Sequence, residues 1–118
     1  MHEFSIAQAL MEQVVKHAPP LALTREVEVR VGALRGIDPE ALRMAWQAVT
    51  YETSLAGAQL NLEILPWTIA CPKCGRTWQS KVPFVTCECG NTSPEPNGTD
   101  ELDLISITVD QDDEGIDT

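Results

Sequence analysis

Apolar residues recur along the chain with two different periods, and the switches between them outline its elements. Ala7, Leu10, Met11, Val14, Val15 and Ala18 follow the i, i+3, i+4 spacing of one helical face. That spacing predicts an amphipathic helix over residues 4–18. Ser5 and Gln8 have the offset of a capping box, which would leave the first three residues at or just outside the helix start. Pro19 and Pro20 end the helix. From Glu26 to Val31, Val alternates with charge, the period-two pattern of a strand with one buried and one wet face. A Gly-bearing loop over residues 32–37 follows. Asp38-Pro39-Glu40 then reads as a helix start, with an N-cap, a proline at the first helical position and an acid in the first turn. This second helix is expected to reach about Ser54, with Leu42, Ala45, Trp46 and Val49 on one face and Gly57 shortly beyond its end.

Leu60, Leu62 and Ile64 alternate with polar residues as a second strand, and Pro66 and Trp67 lead into a Cys-rich window. The closing strand, residues 102–109, changes phase. Leu102 and Leu104 share one register, whereas Ile105, Ile107 and Val109 share the other, which predicts a bulge or bend near Leu104. The order helix, strand, helix, strand, Cys window, strand implies an α+β fold. Two helices would pack on a small mixed sheet, with a four-Cys, zinc-ribbon-like module inserted between two of its strands. The expected division is an α+β domain over residues 1–68 plus 100–110, a metal-binding module over 69–99, and an acidic flexible tail over 111–118.

The charge balance narrows the partners. The chain has 118 residues, 8 Lys and Arg, 18 Asp and Glu, and a formal net charge of −10. The last 25 residues hold nine acids and no base. A nucleic-acid binder that tracks phosphates needs clustered cations, so nucleic acid is not an expected partner. No apolar run approaches the roughly 18 residues needed to cross a bilayer. The start MHEFSIAQALMEQVVK lacks the basic opening of a signal peptide. A cytoplasmic protein is therefore expected, and in that reducing compartment cysteines favour metal or redox chemistry over disulfides.

All four cysteines fall within 19 residues, as Cys71-Pro-Lys-Cys74-Gly and Cys87-Glu-Cys89-Gly. Two close pairs joined by a short hairpin suit tetrahedral closure on one ion. Zinc with four thiolates is the expected filling, with no open position and hence no catalysis. A module of this size has too little core to fold alone, so the metal would supply much of its stability. The single residue between Cys87 and Cys89 is a tighter bite than that between Cys71 and Cys74, and leaves fewer backbone N–H groups to support the thiolates. A rubredoxin-like iron site, a CxxC redox pair and unligated thiols are the other readings.

His2 has a different chemistry from a histidine within a helix. A free Met1 amine, the His2 backbone nitrogen and the His2 imidazole can reach one metal, and the Glu3 backbone nitrogen completes a planar set of four nitrogens. Such a set selects nickel(II) or copper(II). The imidazole must be neutral to bind, so acid should release the ion. On spacing alone the signal is weak, and an exposed, frayed terminus is the better explanation of these residues. His17, at the end of the first helix, reads as a C-terminal cation or a solvated side chain.

Together, the MHEFSIAQAL start, the VGALRGIDPEAL stretch, the following helix and strand, the four-Cys loop and the closing strand resemble the HypA/HybF family of nickel-hydrogenase maturation factors. The resemblance covers nearly the whole chain. It implies a metallochaperone that is not an enzyme. Nickel would be bound at His2, with the Met1 amine and Glu3 as neighbours, and structural zinc at Cys71, Cys74, Cys87 and Cys89. It further implies delivery to a hydrogenase large subunit with a HypB-type GTPase, urease service in some members, and is compatible with a homodimer. The family pattern has two CxxC pairs, from which this chain departs at Cys87 and Cys89. A zinc-containing scaffold or adaptor with no nickel site of its own is the rival reading.

Overall fold

The structure, a computed structural model, describes residues 2–19 and 22–110. Its elements are α1 (His2–His17), β1 (Leu23–Val31), a short 3-10 helix (Ala33–Arg35), α2 (Pro39–Thr50), β2 (Gln59–Ile64), β3 (Trp67–Ala70), β4 (Thr77–Ser80), β5 (Glu95–Asn97) and β6 (Leu102–Asp110). The expected α+β class holds. Contacts divide the chain into two compact units: residues 1–30, 37–63 and 102–118, and residues 31–36 with 64–101.

In the first unit, α1 and α2 pack together, and α1 also touches β6. The sheet order is β2-β1-β6. The core takes Ile6, Ala7, Leu10 and Val14 from α1, Leu42 and Trp46 from α2, Val27 and Val29 from β1, and Leu60 from β2. Val15, expected on the buried face, is exposed, and Ile6 takes its place in the stripe. Trp46 is 1% exposed, and its indole N–H donates to Ala58 O at 2.9 Å, so the buried ring keeps a polar partner.

Three boundaries differ from expectation. Helix α1 begins at His2, so Ser5 lies inside it and does not serve as its cap. Glu3 occupies the first turn, where an acid complements the helix dipole. Helix α2 stops at Thr50. Thr50 Oγ1 donates to Trp46 O at 2.7 Å, Thr53 Oγ1 donates to Thr50 O at 2.6 Å, and Glu52 turns left-handed at φ 61°. The Thr53 hydroxyl takes up the Thr50 carbonyl that a further turn would have used, and the Thr50 hydroxyl bonds back onto the helix. Strand β1 begins three residues early, at Leu23. The change of phase in β6 is present: Leu102, Leu104, Ile107 and Val109 are half-buried, while Ile105 and Ser106 are both exposed.

The second unit has its own sheet, ordered β4-β3-β5. Strand β3 is central and pairs antiparallel with both neighbours, aligning Ile69 with Trp78 on one side and with Pro96 on the other. Ile69 is fully buried. The 31–36 segment joins this unit through backbone bonds: Gly32 N–H to Glu101 O and Leu34 N–H to Thr99 O, each 2.8 Å, and Leu65 N–H to Val31 O at 2.8 Å. The module boundaries expected at 69 and 99 fall inside this unit.

Candidate metal centre

The four cysteines converge. Their Sγ atoms all lie within 4.8 Å of one another. Cys71 Sγ is 3.6 Å from Cys89 Sγ, and Cys74 Sγ is 3.6 Å from Cys87 Sγ. These separations are far too long for disulfides, and all four thiols are free. They fit a tetrahedral ion: ligand distances of about 2.3 Å require sulfurs about 3.8 Å apart. Four soft thiolates in that arrangement suit zinc. Cys71 and Cys87 are buried, at 1% and 2% exposure, while Cys74 and Cys89 are exposed.

Two turns built on one plan hold the cysteines. In the first, Gly75 N–H donates to Cys71 O at 2.7 Å, and Cys71 N–H donates to Arg76 O at 2.9 Å. In the second, Gly90 N–H donates to Cys87 O at 2.9 Å, and Cys87 N–H donates to Asn91 O at 2.8 Å. Gly75 and Gly90 both take positive φ, 79° and 100°, which lets the chain turn back behind the sulfurs. The second turn is one residue shorter, as the CxC spacing requires.

Asn91 is the residue that sequence reasoning missed. Its Nδ2 donates to Cys71 Sγ at 3.4 Å, and its Oδ1 accepts from Ser93 N–H at 3.0 Å. The Asn91 amide, with the backbone N–H groups of Cys74 and Lys73 and the Cys89 thiol, holds the Cys71 thiol down at about 6 against the opposing effect of burial. A polar amide directly after the CxCG of the second pair was the signal available in the sequence. Arg76 and Glu88, one from each turn, form an exposed ion pair, and the Glu88 carboxylate raises the Arg76 pKa.

At the other candidate site, His2 is exposed at the first position of α1, and Glu3 is half-buried in its first turn. Glu3 Oε2 accepts from Asp38 N–H at 3.3 Å, while Asp38 Oδ1 accepts from Glu40 N–H at 3.1 Å to cap α2. Glu3 thus sits at the starts of both helices. Met1 lies outside the described residues, as does the expected tail over 111–118. Among the described residues, the four cysteines form the one cluster of three or more His, Cys, Asp or Glu ligands, and His2 and Glu3 belong to no such cluster. His17 Nδ1 donates to Gln13 O at 3.0 Å, satisfying a carbonyl in the last turn of α1. Among the described residues no helix is long and apolar enough to cross a membrane.

A family model described as "Hydrogenase/urease nickel incorporation, metallochaperone, hypA" matches residues 1–109. The chain is 32% identical over 114 residues to hydrogenase maturation factor HypA of Syntrophus aciditrophicus, covering 93% of this chain and all of that protein. It is 32% identical over 119 residues to the HypA of Wolinella succinogenes, covering 98% of this chain and all of the relative. Against the HypA of Solidesulfovibrio magneticus, identity is 39% over 98 residues, covering 76% and 82% of the two chains. In fold it is similar to the solution structure of the nickel metallochaperone HypA from Helicobacter pylori, with a TM-score of 0.56, 20% identity, and 92% and 97% of the two chains covered. The converging thiolates and the family match over residues 1–109 lead to one conclusion: this chain belongs to the HypA family of hydrogenase and urease nickel-incorporation metallochaperones.

Proposed function

We propose that this chain binds nickel(II) at its N-terminus and delivers it for maturation of a [NiFe]-hydrogenase, while Cys71, Cys74, Cys87 and Cys89 hold a structural zinc. The observation that carries the reading is the family match from residue 1 to residue 109, which includes both candidate sites. Zinc in a four-thiolate set has no open position, so its contribution is to cross-link the two turns. The chain's own residues do the rest: the turns at Gly75 and Gly90 aim the sulfurs, and burial of Cys71 and Cys87 shields two of them from water.

Nickel is cargo. The first four N–H groups of an α-helix have no acceptor within it, so backbone nitrogens of the α1 start can coordinate without breaking the helix. Coordination through the His2 and Glu3 nitrogens releases their protons. Two deprotonated amides offset the ion's two positive charges, so the complex is not opposed by the positive end of the helix dipole. The exposed His2 ring is accessible to an incoming ion and to a recipient. Release by ligand exchange at a terminus leaves the core folded. No bond of a substrate is made or broken in this scheme. The recipient is a hydrogenase large subunit, and nucleotide hydrolysis belongs to a HypB-type GTPase partner. The working compartment is the cytoplasm, and a homodimer is compatible with the scheme.

The test is a nickel titration of zinc-loaded, untagged protein with Met1 verified by mass, run beside His2→Ala. One nickel per chain in the parent and none in the variant is expected. Equal binding by both places nickel elsewhere and refutes the N-terminal site. No binding by either favours the scaffold reading.

A further inference from the structure

The residue that follows each turn glycine reaches across to the opposite turn. Arg76, after Gly75, sends its side chain to Glu88. Asn91, after Gly90, sends its amide to Cys71 Sγ, 3.4 Å away. The two ties differ in kind. Arg76 and Glu88 are exposed, with side-chain exposures of 51% and 81%, and an ion pair so placed contributes little. Asn91 is half-buried and touches a ligand sulfur directly.

The orientation of the Asn91 amide is fixed from its other side. Ser93 N–H can only donate, so it takes Oδ1, and Nδ2 must then face the sulfur. The tie reaches across the cluster: a side-chain N–H from the far end of the second turn adds a donor to a sulfur of the first. It acts on Cys71, the least exposed of the four sulfurs.

We infer that Asn91 is a positioning residue for the four-thiolate site, supplying to Cys71 a side-chain hydrogen bond from the opposite turn. This inference rests on zinc occupying the four cysteines. Outer-shell donors of this kind are worth about 10- to 100-fold in metal affinity.

The experiment uses full-length zinc-loaded protein. Zinc content of the parent is measured first, and then zinc loss to a competing chelator is followed for Asn91→Ala, Asn91→Asp and Glu88→Gln. The Asp variant keeps the acceptor for Ser93 N–H and replaces the donor to sulfur with a carboxylate oxygen, so it carries the test should the Ala variant fail to fold. Each variant is also loaded with cobalt(II), whose thiolate charge-transfer band reports hydrogen bonding at sulfur. The expected result is one zinc in the parent, about tenfold weaker retention in both Asn91 variants with a shifted band, and no change in Glu88→Gln. Parent-like retention and spectrum in Asn91→Asp would show that Asn91 only closes its own turn, and would overturn the inference while leaving the zinc site standing. A parent without zinc overturns both.

Discussion

Replacing Gly32 with Ala should be among the most damaging single-methyl changes in the second unit. Gly32 has φ −75° and ψ 154°, an extended conformation open to any residue. The constraint is space. A Cβ there would lie 2.1 Å from Thr99 O and 2.4 Å from Thr99 Oγ1. The backbone oxygen cannot swing away, so the two segments must part by about 1.3 Å to restore an ordinary contact. That movement stretches two bonds that are now 2.8 Å, Gly32 N–H to Glu101 O and Leu34 N–H to Thr99 O. Their loss costs about 1 kcal/mol each, and overpacking adds about 1–3 kcal/mol. The expected total of about 3–5 kcal/mol is a large share of a domain stability of about 5–15 kcal/mol. Gly36 is the control: φ is 59° and nothing lies within 4 Å of its Cβ position, so Ala there costs only the left-handed backbone, about 1–2 kcal/mol. Urea unfolding followed by Trp fluorescence, at equal zinc loading, compares the two. An unchanged midpoint in Gly32→Ala, or a larger loss in Gly36→Ala, would refute the argument.

Trp46→Phe removes the donor to Ala58 O and leaves a buried carbonyl unpaired, a cost of about 1–3 kcal/mol; thermal unfolding should show a lowered Tm, and an unchanged Tm contradicts the assignment. Glu3→Gln keeps an acceptor for Asp38 N–H whereas Glu3→Ala does not. If the Glu3 contribution to nickel is its backbone nitrogen, the Gln variant should titrate with nickel as the parent does, and loss of binding there would assign the ligand to the carboxylate. In zinc-free protein the Cys71 thiol is held at about 6, with the Asn91 amide the first cause, against an ordinary value of 9.0. A depressed native value stabilises above the unfolded value and is lost as pH falls through the native one. The zinc-free protein should therefore unfold at lower urea concentration at pH 6 than at pH 9, and the opposite order would contradict this direction.

Much of the first unit was legible in local sequence because its signals are local. Alternating Val27, Val29 and Val31 marked a strand, and Asp38-Pro39 marked the start of α2, where Asp38 caps as expected. The paired apolar sets around Leu104 marked the change of phase in β6. The start of α1 was misjudged because Ser5 and Gln8 match a cap by spacing, while Glu3 gains its place from Asp38, far along the chain. Strands β3 and β5 left almost no trace: β5 is three residues and contains Pro96, and its pairing with β3 is set by the turns between them. The cysteine cluster was legible from spacing, but the role of Asn91 was not, because an asparagine after a glycine ordinarily signals only a turn. For Gly32, sequence gave a loop residue, and the reason for glycine emerges only from the closeness of Thr99.

The central claim is that nickel binds through the free amine at the chain's start. The most direct measurement adds one residue before Met1 and records the nickel titration and visible spectrum of the zinc-loaded protein beside the parent. The account predicts a planar-nickel absorption band at one ion per chain in the parent and its loss in the extended protein, with zinc content unchanged in both. An extended protein that binds nickel with the same stoichiometry and the same band would contradict it.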